Sequence, residues 1–143
     1  MRPAFDHERL RAYQEALRFV AWVQPILESI PAKLAARDNL DRASTSVVLN
    51  IAEGNGKRGF PDRCRFLDIA RGSALESAAC FDVLIVKGKV TADVAAQGKE
   101  ILVGVVSLVA GLIARFSEKQ VAEDSSAYAP SASARRAGEN ENE

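Results

Sequence analysis

Apolar residues recur along most of the chain at intervals of three and four, which is the spacing of one face of an α-helix. Leu10, Tyr13, Leu17 and Val20 form the first such row. We find no run in which apolar and polar residues alternate, as they do in a half-buried strand. The pattern predicts four helices, at about residues 7–29, 34–53, 61–87 and 91–118. Their short connections predict an all-α, up-and-down antiparallel four-helix bundle.

Turn-forming residues agree with these boundaries. Gly54 is typical of a helix C-terminus, where glycine adopts a left-handed conformation without steric cost. Pro61 and Asp62 suit the first turn of the third helix, and Thr91 suits the N-cap of the fourth. Each helix is therefore predicted to be separated from the next by a short turn.

The fourth predicted helix is apolar on more than one side. Its apolar residues form two adjacent rows, Ile101-Val105-Leu108-Leu112 and Leu102-Val106-Val109-Ile113-Phe116. A helix that is apolar nearly all round must be covered on several sides. Two interpretations remain open from the sequence: the helix is central in the monomer, or part of its surface is covered by another copy in an oligomer.

The composition changes near Ala122 to Ser, Ala, Gly, Asn and Glu, and no apolar row continues. We therefore predict a bundle domain of residues 1–121 and a disordered acidic tail of residues 122–143. The acidic end of that tail would either increase solubility or shield a basic surface of the same chain. The first interpretation is the simpler one.

Length and charge limit the classes of protein. The 143 residues are 48% hydrophobic and contain 19 Lys+Arg and 19 Asp+Glu, which is typical of one soluble domain. A neutral chain lacks the overall basic excess of a nucleic-acid-binding protein, although local basic patches remain possible. The N-terminus lacks the apolar segment of a secretory signal, and the longest apolar run, residues 101–114, is too short to span a bilayer. A cytoplasmic protein without membrane association is predicted.

Residues for catalysis or metal binding are few. His7 is the single histidine, so a di-iron site cannot be assembled, and because it precedes the first helix we do not expect a conventional catalytic triad. Cys64 and Cys80 lie 16 positions apart on one predicted helix, about 24 Å along its axis, too far apart for a disulfide. No phosphate-binding glycine motif is present. The sequence predicts no enzymatic activity, no cofactor, no metal and no small-molecule substrate.

Polar residues within the second and third helices form a second pattern. Ser46, Asn50 and Glu53 follow one face of the second helix. The third helix offers a matching set, Arg71, Gly72, Ser73 and Glu76. One interpretation makes Asn50, Glu53 and Glu76 a buried binding site. The other, which we favour, pairs the two glutamates with Arg42 or Arg71, because a buried carboxylate without a partner is costly.

Basic residues cluster at the turn between these two helices. The cluster contains Lys57, Arg58, Arg63 and Arg65, followed by Arg71, with Asp62 and Asp68 among them. The free amide groups and the dipole at the start of the third helix favour a phosphate group. The cluster is thus a candidate nucleic-acid-binding site, and a solvated loop is the alternative that remains open.

Two motifs carry a family resemblance. Residues 50–54 read Asn-Ile-Ala-Glu-Gly, and residues 72–76 read Gly-Ser-Ala-Leu-Glu. Asn50, Glu53, Gly54, Arg71, Gly72 and Glu76 belong to this pattern. In order and spacing they resemble the four-helix-bundle proteins encoded in intervening sequences of bacterial large-subunit ribosomal RNA genes. The resemblance spans about residues 9–116.

The resemblance implies a bundle that assembles as a ring, commonly a homopentamer, with no known enzymatic activity. A similar bundle is the accessory variability determinant of diversity-generating retroelements, which is basic and binds reverse transcriptase and nucleic acid, whereas this chain is neutral. We therefore expect a non-enzymatic oligomeric adaptor or scaffold that binds a protein or RNA partner. The alternative is a nucleic-acid-binding accessory protein that uses the basic turn and the third helix.

Overall fold

The computed structural model describes residues 4–128, and this part of the chain contains four α-helices and no strand. A 3₁₀ turn, Asp6–Arg9, precedes them. The helices are α1 (Arg11–Ser29), α2 (Ala35–Gly56), α3 (Phe60–Val86) and α4 (Ala92–Ala127). The all-α prediction is confirmed, and the arrangement is consistent with a four-helix bundle. The ring assembly remains a prediction.

Each helix packs on two others. α2 packs on α3 and α3 on α4 most extensively, while α1 contacts both α2 and α4. Tight connections reverse the chain between them, so α1 and α3 begin at the end of the bundle where α2 ends and α4 approaches its C-terminus. A hydrogen bond of 2.9 Å from Asn55 Nδ2 to Asp6 Oδ2 joins the end of α2 to the 3₁₀ turn that precedes α1.

The end of α2 differs from the prediction for Gly54. The helix continues to Gly56, and Gly88, not Gly54, is the glycine with a positive φ among the described residues. Gly54 is buried, and a Cβ added to it would lie 3.0 Å from the Cβ of Phe66 and 3.2 Å from the carbonyl oxygen of Arg63. The prediction that Gly54 ends the helix is wrong, because this glycine allows α2 and α3 to approach each other closely.

The end of α4 also differs from the prediction. The helix reaches Ala127, past its predicted end near residue 118 and past the predicted domain boundary at 121. Residues 122–127 are helical rather than disordered. A side-chain hydrogen bond between i,i+4 neighbours supports this part of the helix, with Gln120 Nε2 donating to Asp124 Oδ1 at 2.8 Å. The remainder of the predicted tail, residues 129–143, lies outside the described residues.

An aromatic cluster fixes the middle of the bundle. Phe19 and Trp22 of α1 meet Phe81 of α3, with ring centroids 5.9 to 6.3 Å apart. Gly98 of α4 lies directly against these rings, since an added Cβ would be 2.7 Å from Trp22 and 2.9 Å from Phe81. Further fully buried side chains extend the core along the bundle: Val23, Leu40, Val47, Ile51, Leu67, Leu84, Val105 and Val109. Burial of each large side chain stabilises the fold by about 1.5–3 kcal/mol.

Candidate interaction surfaces

Hydroxyl and amide groups link α2 to α3 inside the bundle. Ser46 Oγ lies 2.8 Å from Ser73 Oγ, and Asn50 Nδ2 donates to Ser46 Oγ at 3.0 Å and to the Ser46 carbonyl oxygen at 2.9 Å. Ser77 Oγ donates to the Ser73 carbonyl oxygen at 2.9 Å. Every buried side-chain nitrogen or oxygen of the described residues has a partner. This network fixes the register of the two helices.

The two glutamates of this pattern lie outside the network, contrary to the prediction. The Glu53 side chain is 54% exposed and pairs with Lys57 at 3.6 Å, its i,i+4 neighbour. Arg42 pairs instead with Asp38. Glu76 is exposed, and among the described residues neither it nor Arg71 forms an ion pair. The predicted pairing with Arg42 or Arg71 and the predicted buried site are therefore both wrong.

Gly72 has no close neighbour either. It is exposed, and an added Cβ would meet no atom within 4 Å. Of the matching set on the third helix, Ser73 faces α2, through its bond to Ser46. The polar pattern therefore divides into an inward hydrogen-bonding part and an outward charged part.

A cluster of cations and phenylalanines occupies the end of the bundle where α3 begins. The rings of Phe60 and Phe116 stack, with centroids 6.0 Å apart and an interplanar angle of 14°. The Arg63 guanidinium lies 4.9 Å from the centroid of Phe116 and 5.8 Å from that of Phe60. Its Nε also donates to the carbonyl oxygen of Lys57 at 2.7 Å. Arg63 therefore joins α3, α4 and the preceding turn.

Other cations lie over these rings or over the neighbouring ring of Phe66. Lys57 and Arg65 each lie 4.7 Å from the centroid of Phe66. Lys119 is 5.8 Å from the centroids of both Phe60 and Phe116, and Arg115 is 6.0 Å from that of Phe116. We call the following set the basic end: Lys57, Arg58, Arg63, Arg65, Arg115 and Lys119. The two members on α4 were not predicted from the sequence, because they lie 50 or more positions from the others.

The basic end has more cations than paired carboxylates. Lys57 pairs with Glu53, and Arg65 pairs with Asp62 at 3.5 Å. Arg58, Arg115 and Lys119 form no ion pair with the described residues. The chain is neutral overall, and Asp68 and Glu118 lie close to these cations in sequence. Chemically, the basic end can attract an anionic group, with an affinity that falls as salt increases.

An apolar groove runs between α3 and α4 on another side of the bundle. Leu75 and Val103 are 50% and 65% exposed along it, and the Asp82–Lys99 ion pair borders it. The groove has a volume of about 490 Å³. Its lining consists of Ala74, Leu75, Ala78, Ala79, Asp82, Lys99, Leu102, Val103, Val106 and Ser107. Most of these side chains are small or apolar, which is typical of a surface that another apolar surface covers.

α4 itself is only partly covered by the other helices. By length and composition it is apolar enough to cross a membrane, and 28% of its most apolar 18-residue window is buried. An added Cβ at Gly104 or Gly111 would meet nothing within 4 Å. One row of α4, including Leu102, Val105 and Val109, is buried against the bundle. The remaining apolar surface is open in the single chain.

Thiol and carboxylate chemistry is sparse in the described part of the chain. Residues 4–128 contain no group of three or more His, Cys, Asp or Glu side chains placed to hold a metal ion. Both cysteines are free thiols, and burial, followed by the nearby Glu76 charge, raises the pKa of the Cys80 thiol. Hydrogen bonds from the backbone amides of Phe5 and Ala4 lower the pKa of Glu8.

The described residues define the class of the molecule: an all-α protein of four helices, with a buried α2–α3 network, an open apolar groove and a basic end. Its sequence matches the family model of the 23S rRNA-intervening sequence proteins over residues 8–111, and the chain belongs to that family. The resemblance seen in residues 50–54 and 72–76 is confirmed.

A solved structure has the same fold. It is a protein of unknown function from the S23 ribosomal protein family of Bacteroides thetaiotaomicron, 18% identical to this chain, with a TM-score of 0.67. The similarity covers 71% of this chain and 97% of the other. A search of the curated proteins found no match. The family match ends before Arg115, Phe116 and Lys119, so the α4 part of the basic end lies outside it.

Proposed function

We propose that this protein is a non-enzymatic, oligomeric four-helix adaptor that binds a protein or RNA partner. The observation that carries this proposal is the open apolar surface of α4 and the adjoining groove. A soluble monomer rarely leaves such a continuous surface exposed. A second copy of the chain would cover it, and the resemblance to ring-forming bundles favours a homopentamer.

A ring imposes a geometric requirement on the interface. In a closed ring of more than two subunits, one patch of each copy contacts a different patch of its neighbour. The α3–α4 groove supplies the first patch. Leu17 of α1 and Leu49 of α2 are exposed apolar residues away from that groove and are candidates for the second. Each half-exposed apolar side chain that becomes buried would contribute roughly 1 kcal/mol to association.

Two valines on α4 allow a matched experiment. Val103 lines the groove and is 65% exposed, whereas Val121 is 64% exposed on the same helix outside the groove. V103E places a charge in the proposed interface, and V121E places the same charge at an equally exposed position. Light scattering should show loss of the assembly for V103E only. Equal masses for the two variants would contradict the groove as the interface, and a monomeric parent would contradict assembly itself.

The basic end supports a second candidate function, the binding of structured RNA. The supporting observation is that cations from α3 and α4 lie around one pair of stacked rings, and Lys57 of the preceding turn lies over the ring of Phe66. Arginine and lysine contacts with phosphates release counterions, which makes binding salt-dependent. K57A/R58A should weaken binding of a structured RNA and reduce its salt dependence. The control K87A/K89A removes two exposed cations from the opposite end and should have little effect; equal loss in both variants would contradict this site.

A further inference from the structure

The α3–α4 groove lies beside a row of charged residues on α3. Arg71 and Asp68 are exposed and form no ion pair with the described residues. Asp82 borders the groove and is bound to Lys99, the charged residue that α4 contributes to the lining. Counted from Leu75 in the groove, Arg71 lies four residues before it and Asp82 seven residues after it. These α3 residues lie within about 60° of one another around the helix, so they form one face along the groove.

The outer face of α2 carries the opposite charges at the same spacing. Leu49 is 60% exposed at the centre of this face. Glu53 follows Leu49 by four residues, and Arg42 precedes it by seven. Both charged side chains are more than half exposed, and the three residues lie within about 40° of one another around the helix. In the reverse chain direction, α2 therefore repeats the order of α3 with each charge inverted.

We propose that the α3–α4 groove binds α2 of a second copy, antiparallel to α3, with Leu49 entering the groove. In this register Glu53 of one copy faces Arg71 of the next, and Arg42 faces Asp82. The inference rests on the proposed assembly and identifies α2 as the second patch of the interface. It also gives a role to Glu53 and Arg71, which the packing of the single chain leaves at its surface.

The direction of this contact agrees with the arrangement of the bundle. α2 runs antiparallel to α3 within one chain, through the short turn between them. In a ring whose copies all point the same way, α2 of the neighbouring copy has that same direction. Thr45, one turn before Leu49, would then lie over Ala78 and Ala79, the small residues that α3 contributes to the groove.

Two lysines extend the charge match beyond the central pairs. Lys57 is the C-cap residue of α2 and would lie near Asp68 of the next copy. Lys87 is the C-cap residue of α3 and would lie near Asp38 of the copy that binds in the groove. Exposed ion pairs each add little affinity, so the burial of Leu49 supplies most of it. The charges set the direction and register of the contact.

Other charged residues of these helices lie beside the contact. Asp41 on α2, and Arg65 and Glu76 on α3, lie about 80° to 100° around their helices from the centre of the contact. Glu100 of α4 is exposed and is not among the residues that line the groove. Asp41 and Glu76 therefore offer matched control positions on the same two helices.

Charge reversal tests the central pair in the full chain. In light scattering over a concentration series, E53R and R71E should each raise the concentration at which half of the assembly dissociates by about tenfold. The combined variant E53R/R71E restores opposite charges in every interface and should return to within about threefold of the parent. The controls D41R and E76R reverse charges beside the contact and should change this concentration by less than about twofold.

Isotope-labelled cross-linking tests whether the contact joins two copies. Equal amounts of unlabelled and ¹⁵N-labelled R71K are unfolded and refolded together. A zero-length carbodiimide reagent then joins carboxylates to amines in contact with them, and mass spectrometry identifies the linked peptides. We expect Glu53 linked to the introduced lysine, in peptides of which some carry both labels.

The outcomes separate this contact from the assembly itself. A monomeric parent would overturn both. An assembled parent would leave the assembly standing, and three results would then overturn the contact alone. They are no recovery in E53R/R71E, an equal loss in D41R or E76R, and R71K links whose peptides all carry a single label.

Discussion

Ser46 and Ser73 connect α2 to α3 through hydroxyl oxygens 2.8 Å apart, with Asn50 donating to the same Ser46 oxygen. S73A removes one partner from this network and should lower the free energy of unfolding by about 1 kcal/mol. Urea denaturation measures the change. T45A, at an exposed position on α2, is the control and should change stability by less than about 0.5 kcal/mol. Equal effects would contradict the structural role of the network.

Gly98 should not tolerate even a methyl group. The Cβ in G98A would lie 2.7 Å from Trp22 and 2.9 Å from Phe81, so the aromatic cluster would have to move. We expect a loss of about 1–3 kcal/mol in unfolding free energy, despite the better helix propensity of alanine. G72A, where nothing lies within 4 Å of the added carbon, should instead be neutral or stabilising. Thermal unfolding of both variants measures these changes in stability. A G98A variant as stable as the parent protein would contradict this packing.

Arg63 should stabilise the basic end by stacking as well as by charge. R63A removes its contacts with Phe60 and Phe116 and its bond to the Lys57 carbonyl oxygen, which should cost about 1–2 kcal/mol. R63K should recover only part of this loss, since lysine lacks the planar guanidinium. R42A, which removes an exposed arginine paired with Asp38, is the control and should cost less. If the control variant lost more thermal stability than R63A, a stacking role of Arg63 would be excluded.

Cys80 should react with thiol reagents only at raised pH. Burial and then Glu76 raise the pKa of the Cys80 thiol, so less of the reactive thiolate forms at a given pH. Because the folded-state pKa lies above the unfolded-state value, stability should fall as pH rises from the unfolded thiol pKa through the higher folded one. Alkylation followed by mass spectrometry measures both cysteines in one sample. E76Q should shift the Cys80 profile to lower pH, and an unchanged profile would contradict the contribution of Glu76.

The helices were predictable because their apolar rows have helical spacing, and the motifs of residues 50–54 and 72–76 were sufficient to indicate the family. The end of α2 was not predictable from Gly54. A glycine needed for close packing against Phe66 looks the same in sequence as one needed for a turn. The extension of α4 to Ala127 was also missed. Its residues are mostly polar and form no apolar row, yet they are helical.

The candidate sites were predicted less completely. The cations of the turn and of α3 were identified, but Phe116 meets Arg63, and Lys119 meets Phe60, only through the antiparallel arrangement of α3 and α4. Glu53 and Glu76 were expected to be buried, since they follow polar residues that do face inward. Helical spacing predicts the direction of a side chain around the helix axis only to within a few tens of degrees. An error of that size decides whether the side chain is buried or exposed.

The central claim is that the open surface of α4 is covered by other copies of this chain. The most direct test is the molar mass of the full chain in solution, measured by light scattering after size-exclusion chromatography at micromolar concentration. The account predicts an oligomer, with a pentamer of about five times the 15.4 kDa chain mass. A constant mass of 15.4 kDa across the concentration series would contradict it.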